Sequence, residues 1–212
     1  MTDRPPSSDA VAALFTRADG QYLCARWGRP MAPVAFGLAA PSLPVFKGAF
    51  EALGQLSGHP VAETDPELGA NLMLFAVRDW AELAEVPDLD RLIPDLHPLL
   101  ARLQAAEANQ YRIFRFDADG GIRAAFVLMR MDAHLQAVPA EVLALAQAVQ
   151  TVLLWSDTAF AGRSPLAEAQ GRVILRPDIA AVIRAAYDPV LPVCATDPAH
   201  ALRLAARMER LQ

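Results

Sequence analysis

The segment Arg26-Trp27-Gly28-Arg29-Pro30 sets two guanidiniums beside an indole. Guanidinium forks suit bidentate capture of a carboxylate or a peptide end. The competing reading makes Trp27 a core anchor, with one arginine on the exposed side of a strand and the other in a turn. A second group of charges follows, with Glu63, Asp65 and Glu67 alternating in Glu63-Thr64-Asp65-Pro66-Glu67-Leu68-Gly69-Ala70-Asn71. Paired acids can move protons or hold a cation. The simpler reading is a solvated turn that starts at Pro66, capped by Thr64 or Asp65. Arg26, Trp27, Arg29, Glu63 and Asp65 are therefore the candidate ligand-binding residues, and no residue is assigned a catalytic role.

Other chemistries lack their spacing. His59, His97, His134 and His200 include no pair four apart, and none lies close to a cysteine. A zinc centre normally draws on at least one such pair, so no metal is expected. Counted from Asp117, a calcium loop would need glycine at its sixth position and glutamate at its twelfth, where Ile122 and Leu128 stand. Cys24 and Cys194 have no neighbouring histidine, and no serine sits in a G-x-S-x-G elbow. Lys47, the only lysine, lies between Phe46 and Gly48, where its amine reaches water more readily than it is desolvated. Phosphate-cradling glycine loops are missing, so no cofactor is expected. The run Tyr111-Arg112-Ile113-Phe114-Arg115-Phe116 mixes aromatic and basic residues as some RNA-binding sheets do. A formal net charge of -5 argues against nucleic acid as a partner.

The elements that carry these residues follow from periodicity. Residues 1–8 read as a loose tail before one domain over 9–212. Asp9 is placed to cap a short helix over Ala10 to Arg17. Gln21 to Trp27 and Pro33 to Gly37 read as strands about a Gly28-Arg29-Pro30 turn. Ser42 is placed as the N-cap of a helix to about Ser57, stopped by Gly58, with Phe46, Ala49, Phe50, Leu53 and Leu56 on its buried face. Leu72 to Val77 suits a buried strand. Pro87 to Ala108 is helical, with a break expected before Pro94 or Pro98. Tyr111–Phe116 and Ile122–Met131 flank Asp117-Ala118-Asp119-Gly120-Gly121, a β-hairpin signal. A helix runs from Pro139 to about Trp155, residues 156–176 read as irregular loop, and two short helices close the chain. Strands and helices do not alternate as regular βαβ units. The class is α+β, a mixed or mostly antiparallel sheet of about four to five strands with helices packed on one face.

Apolar types make up 54% of the 212 residues, which excludes a disordered chain. The first residues carry no apolar run behind a basic start. Pro30 to Phe46 holds four prolines, and Val142 to Ser156 falls short of the roughly 20 residues a membrane span needs. A soluble, cytoplasmic, bacterial protein with reduced thiols is expected, with no membrane partner. The arginine-for-lysine bias fits a GC-rich genome.

Several scattered stretches carry a resemblance: Arg26-Trp27, Ala49-Phe50 before Gly58, Ala70-Asn71-Leu72, Gln150 with Asp157, and Tyr187-Asp188-Pro189. Through them the chain resembles a family of uncharacterised bacterial proteins with a zincin metallopeptidase-like layout. The resemblance implies that helix 139–155 stands where zincins carry H-E-x-x-H, with Ala146, Gln147 and Gln150 at those positions. Alanine cannot ligate and glutamine is no base, so it implies the scaffold without the peptidase chemistry. The expected function is a non-catalytic cytoplasmic binding or interaction domain, whose partner is a protein, a small molecule or a second copy of the chain. The alternative is an enzyme built from Arg26, Arg29, Glu63 and Asp65.

Overall fold

Phe46, Phe50 and Leu53 recur at three and four, so a helix buries all of them at once. Gly58 ends that helix at φ 68°, a left-handed stop that glycine takes without a Cβ penalty. Logic of this kind sets most elements in the computed structural model, which describes residues 6–210. In chain order they are α1 (Ser8–Ala13), β1 (Cys24–Ala25), β2 (Pro33–Phe36), α2 (Leu43–Ser57), β3 (Leu72–Val77), α3 (Leu89–Leu92), α4 (Leu96–Ala105), β4 (Gln110–Phe116), β5 (Ile122–Arg130), α5 (Ala133–Gln136), α6 (Ala140–Val152), β6 (Leu166–Ala169), β7 (Arg172–Leu175), α7 (Pro177–Ala186), β8 (Cys194–Ala195) and α8 (Ala199–Arg210). Short 3-10 helices span Ala40–Ser42 and Trp80–Glu85.

The class is α+β around a mixed four-stranded sheet of order β2-β3-β5-β4. β2 and β5 run parallel to β3, and β4 returns antiparallel to β5 through the expected hairpin. Both sheet faces are covered, which corrects the expectation of helices on one face. Alternate side chains of a strand point opposite ways. Leu72, Leu74, Ala125, Val127 and Met129 enter one core with α2, α6, α7 and α8. Phe75, Val77, Phe126 and Leu128 enter a second with the Trp80–Glu85 turn, α3 and α4. β3 and β5 are apolar on both faces because each face is roofed.

Within the first core the segment from Cys24 to Trp27 pairs antiparallel with β8, bridges Leu153, and joins the start of β5. Trp27 is fully buried, and its indole N–H donates to the Thr151 carbonyl at 2.9 Å. The Trp155 indole donates to the Val149 carbonyl and the Tyr187 hydroxyl to the Val152 carbonyl, each at 2.7 Å. Three aromatic donors thus satisfy the carbonyls that the C-terminus of α6 leaves orphaned.

Four local expectations differ. Ser7, not Asp9, caps α1, accepting from the Ala10 N–H at 3.2 Å. Ser42 makes no capping bond, because the preceding 3-10 turn holds it at helical dihedrals and a capping residue needs extended ones. Of the tail expected over 1–8, residues 1–5 lie outside the described residues, and Ser7 and Ser8 belong to α1 and its cap. Residues 156–176 hold the hairpin β6–β7, turned by Gln170 and Gly171 at φ 53° and 72°. The break before Pro94 is present, and Pro98 is tolerated in the first turn of α4, where its missing N–H costs nothing. Among the described residues no helix is long and apolar enough to cross a membrane.

Candidate functional site

The five residues singled out in the sequence take different places. Trp27 is a core anchor and helix cap, as described. Arg26 lies over the Tyr187 ring, 5.5 Å from its centroid, and donates to the Leu191 carbonyl at 3.3 Å. Arg29 and Asp65 do meet, at 3.5 Å. Arg29 also binds Glu67 at 2.9 Å and Asp117 at 3.2 Å, and Glu67 in turn binds Arg123. The Glu67 hydrogen bond and neighbouring acids hold the Arg29 guanidinium above its ordinary pKa. Asp65 accepts the Leu68 and Glu67 N–H groups at 2.8 and 2.9 Å, so it caps the turn after Pro66. Its second oxygen accepts from Asn71, whose side chain is fully buried and also bonds Pro30 and Ala32. The backbone N–H donors foremost, with Asn71 and Arg29, keep the Asp65 carboxyl below its ordinary range. This cluster pins the Arg29 turn to the head of β3, and its two guanidiniums are fully paired with its three carboxylates.

Glu63 is not among them. It projects into solvent and pairs with Lys47 at 2.7 Å. That pair borders a slot of about 310 Å³ between α2 and the free edge of β2, floored by Phe46, Phe50 and Leu74.

A larger cleft of about 460 Å³ opens between β4, the C-terminal end of α6 and the segment after it. Arg112, Phe114, Gln150, Trp155 and Phe160 line it, with Arg17 and Asp157 also on its wall. Gln110, Arg112 and Phe114 share the face of β4 that turns to the first core, where Phe114 packs. Arg112 donates to the Gln147 amide oxygen at 2.6 Å and to the Gln110 oxygen at 3.2 Å, and Gln147 donates to Gln110 at 2.7 Å. Gln147 is completely buried. The Arg112 Nε is buried without a hydrogen-bond partner, and among the described residues no carboxylate lies within ion-pair distance of this guanidinium. Desolvation pulls its pKa down to about 10, which still leaves it charged at neutral pH.

The cleft's apolar wall is rigid. Trp155 stacks on Phe15 with centroids 5.3 Å apart and meets Phe160 edge-on at 5.1 Å, while its N–H is held by Val149. A half-buried cation beside aromatic rings can hold an anionic group attached to an apolar body. Among the described residues no three His, Cys, Asp or Glu side chains group so as to hold a metal ion.

In the sequence Arg112 stands only within the aromatic and basic run Tyr111 to Phe116, and not among the candidate ligand-binding residues. The available signal was the parity of β4, which puts Gln110 and Arg112 on the same face as Phe114. Comparison with protein-family models, with curated proteins and with solved structures gave no match.

Proposed function

We propose that the protein is a non-catalytic cytoplasmic binding domain whose ligand is a small organic anion, taken up in the cleft between β4 and the end of α6. The observation that carries this reading is Arg112, a desolvated guanidinium whose protein partners are neutral amides. Burying a charge costs several kcal/mol unless an opposite charge compensates it. A ligand anion supplies that compensation, and the cavity in front of the guanidinium provides the room.

The scaffold of this reading is a degenerate zincin-like one. It is supported by a helix packed on one face of a mixed sheet beside an antiparallel edge strand, β4. Gln147 and Gln150, at the positions the resemblance assigns, face Arg112 and the cleft with amides. The enzyme alternative has less support. Of its four residues only Arg29 and Asp65 touch, and both are engaged in the turn network.

Thermal unfolding across a panel of carboxylates, sulfate and phosphate tests the proposal. A ligand that binds only the folded state raises Tm by mass action, about 2.7 kcal/mol at a hundred times Kd. At least one anion is expected to stabilise the protein and to lose that effect in Arg112→Met. An equal response of both proteins to every anion refutes it.

A further inference from the structure

The cleft does not treat all anions alike. Resting on the anion-binding reading above, we infer that its ligand is a monocarboxylate with an aromatic or comparably flat apolar body, rather than a phosphate. Three features point this way. First, Gln147 and Gln110 engage one terminal nitrogen of Arg112 and, among the described residues, leave Nη1 without a hydrogen bond, a charged donor for a carboxylate oxygen. Second, the cleft lies at the C-terminal end of α6, lined by Gln150 and Leu154, and the carboxylate of Asp157 stands on its wall. Arg112 and Arg17 set against Asp157 leave the lining one positive charge, which balances a singly charged anion and not a second charge on the ligand. Third, Phe114, Trp155 and Phe160 supply an apolar wall that a bare inorganic anion leaves unused.

Calorimetric titration with phenylacetate, its neutral isostere phenylacetamide, acetate and inorganic phosphate tests the assignment on the intact protein. Phenylacetate is expected to bind at least ~10-fold more tightly than phenylacetamide, which lacks the charge that Arg112 pairs with. It should likewise exceed acetate and phosphate by ~10-fold, through the stacked body. Phe160→Ala, at the edge of the aromatic wall, should weaken phenylacetate several-fold and leave acetate unchanged. Two readouts need no variant at all, so a folding defect in Arg112→Met cannot hide the result. Phosphate binding more tightly than phenylacetate, with loss in Arg112→Met, overturns the carboxylate assignment and leaves the anion cleft standing. Equal affinity for phenylacetate and phenylacetamide removes both. No heat from any probe up to about 10 mM also removes both, because Kd values weaker than that correspond to less than ~3 kcal/mol of binding free energy.

Discussion

Replacing Arg112 by methionine separates a residue kept for a ligand from one kept for the fold. The side chain has two roles in the free protein: a partly desolvated charge, and a donor to Gln147 and Gln110. Lowering its pKa to about 10 means that the fold carries an unfavourable ~3 kcal/mol on the charged form at neutral pH. Methionine removes that cost and keeps an unbranched apolar stem in the same space. It also strips the Gln147 oxygen of its donor, a loss of about 1–3 kcal/mol for a buried acceptor, while the Gln147–Gln110 bond survives. The two contributions nearly cancel. Ligand-free Arg112→Met is expected to lie between unchanged and ~2 kcal/mol more stable than the parent. Urea unfolding followed by tryptophan fluorescence, with the slope held constant, reads this directly as a shift in midpoint. A compensated structural ion behaves otherwise, because breaking its pair costs about 3–5 kcal/mol. Destabilisation of more than ~3 kcal/mol would refute the view that this cation is uncompensated in the free protein.

The Asn71 network gives the opposite expectation. Asn71→Leu leaves the buried Ala32 N–H, the Pro30 carbonyl and Asp65 without their bonds to this side chain and should cost about 3–5 kcal/mol in the same urea assay, and a loss below ~1 kcal/mol would show that this side chain does not hold the Arg29 turn. The Gly120 site tests the hairpin turn, since its φ is 81° and an added Cβ would meet Cys194 at 2.8 Å; Gly120→Ala should lower stability by about 1–3 kcal/mol, and an unchanged Tm would contradict the contact with β8. Acid should act in two windows. Burial holds His200, whose Nε2 has no partner among the described residues and whose Nδ1 lies 3.0 Å from the Tyr22 hydroxyl, and His59 below their ordinary pKa. The unfolded chain then takes up protons first, so stability falls as pH drops below about 6.5. Asp65, Asp132 and Asp188, held low mainly by backbone N–H donors, contribute stability that is lost only as pH falls below about 4. In His200→Gln the fall in Tm between about pH 7 and 5 should shrink, and an undiminished fall would place the first window elsewhere.

Residue order alone carried the signals that act within a turn or two. Asp117-Ala118-Asp119-Gly120-Gly121 between two apolar runs specifies the β4–β5 hairpin, because only that stretch readily adopts the reversal. The α2 stripe and its Gly58 stop are equally local, and so is the break at Pro94. The α+β class follows from the order of such elements. The β6–β7 hairpin was hidden because its strands are four residues each and its turn uses Gln170, a residue that seldom takes positive φ. The roofing of both sheet faces could not be read from β3 and β5 alone, since an apolar run of strand length is compatible with more than one packing.

Arg26, Trp27 and Arg29 looked like one site because they are close in sequence, whereas packing sends them to different places and brings only Arg29 to Asp65. Trp27 turns inward to α6, Arg26 lies over Tyr187, and Arg29 folds onto acids from two other segments. Arg112 looked ordinary until α6 placed Gln147 against it from 35 positions away along the chain. Hydrogen-bonding capacity is a property of a residue type, legible anywhere. Whether a charge is left without an opposite one depends on every group that surrounds it, and only the packed chain determines which groups those are.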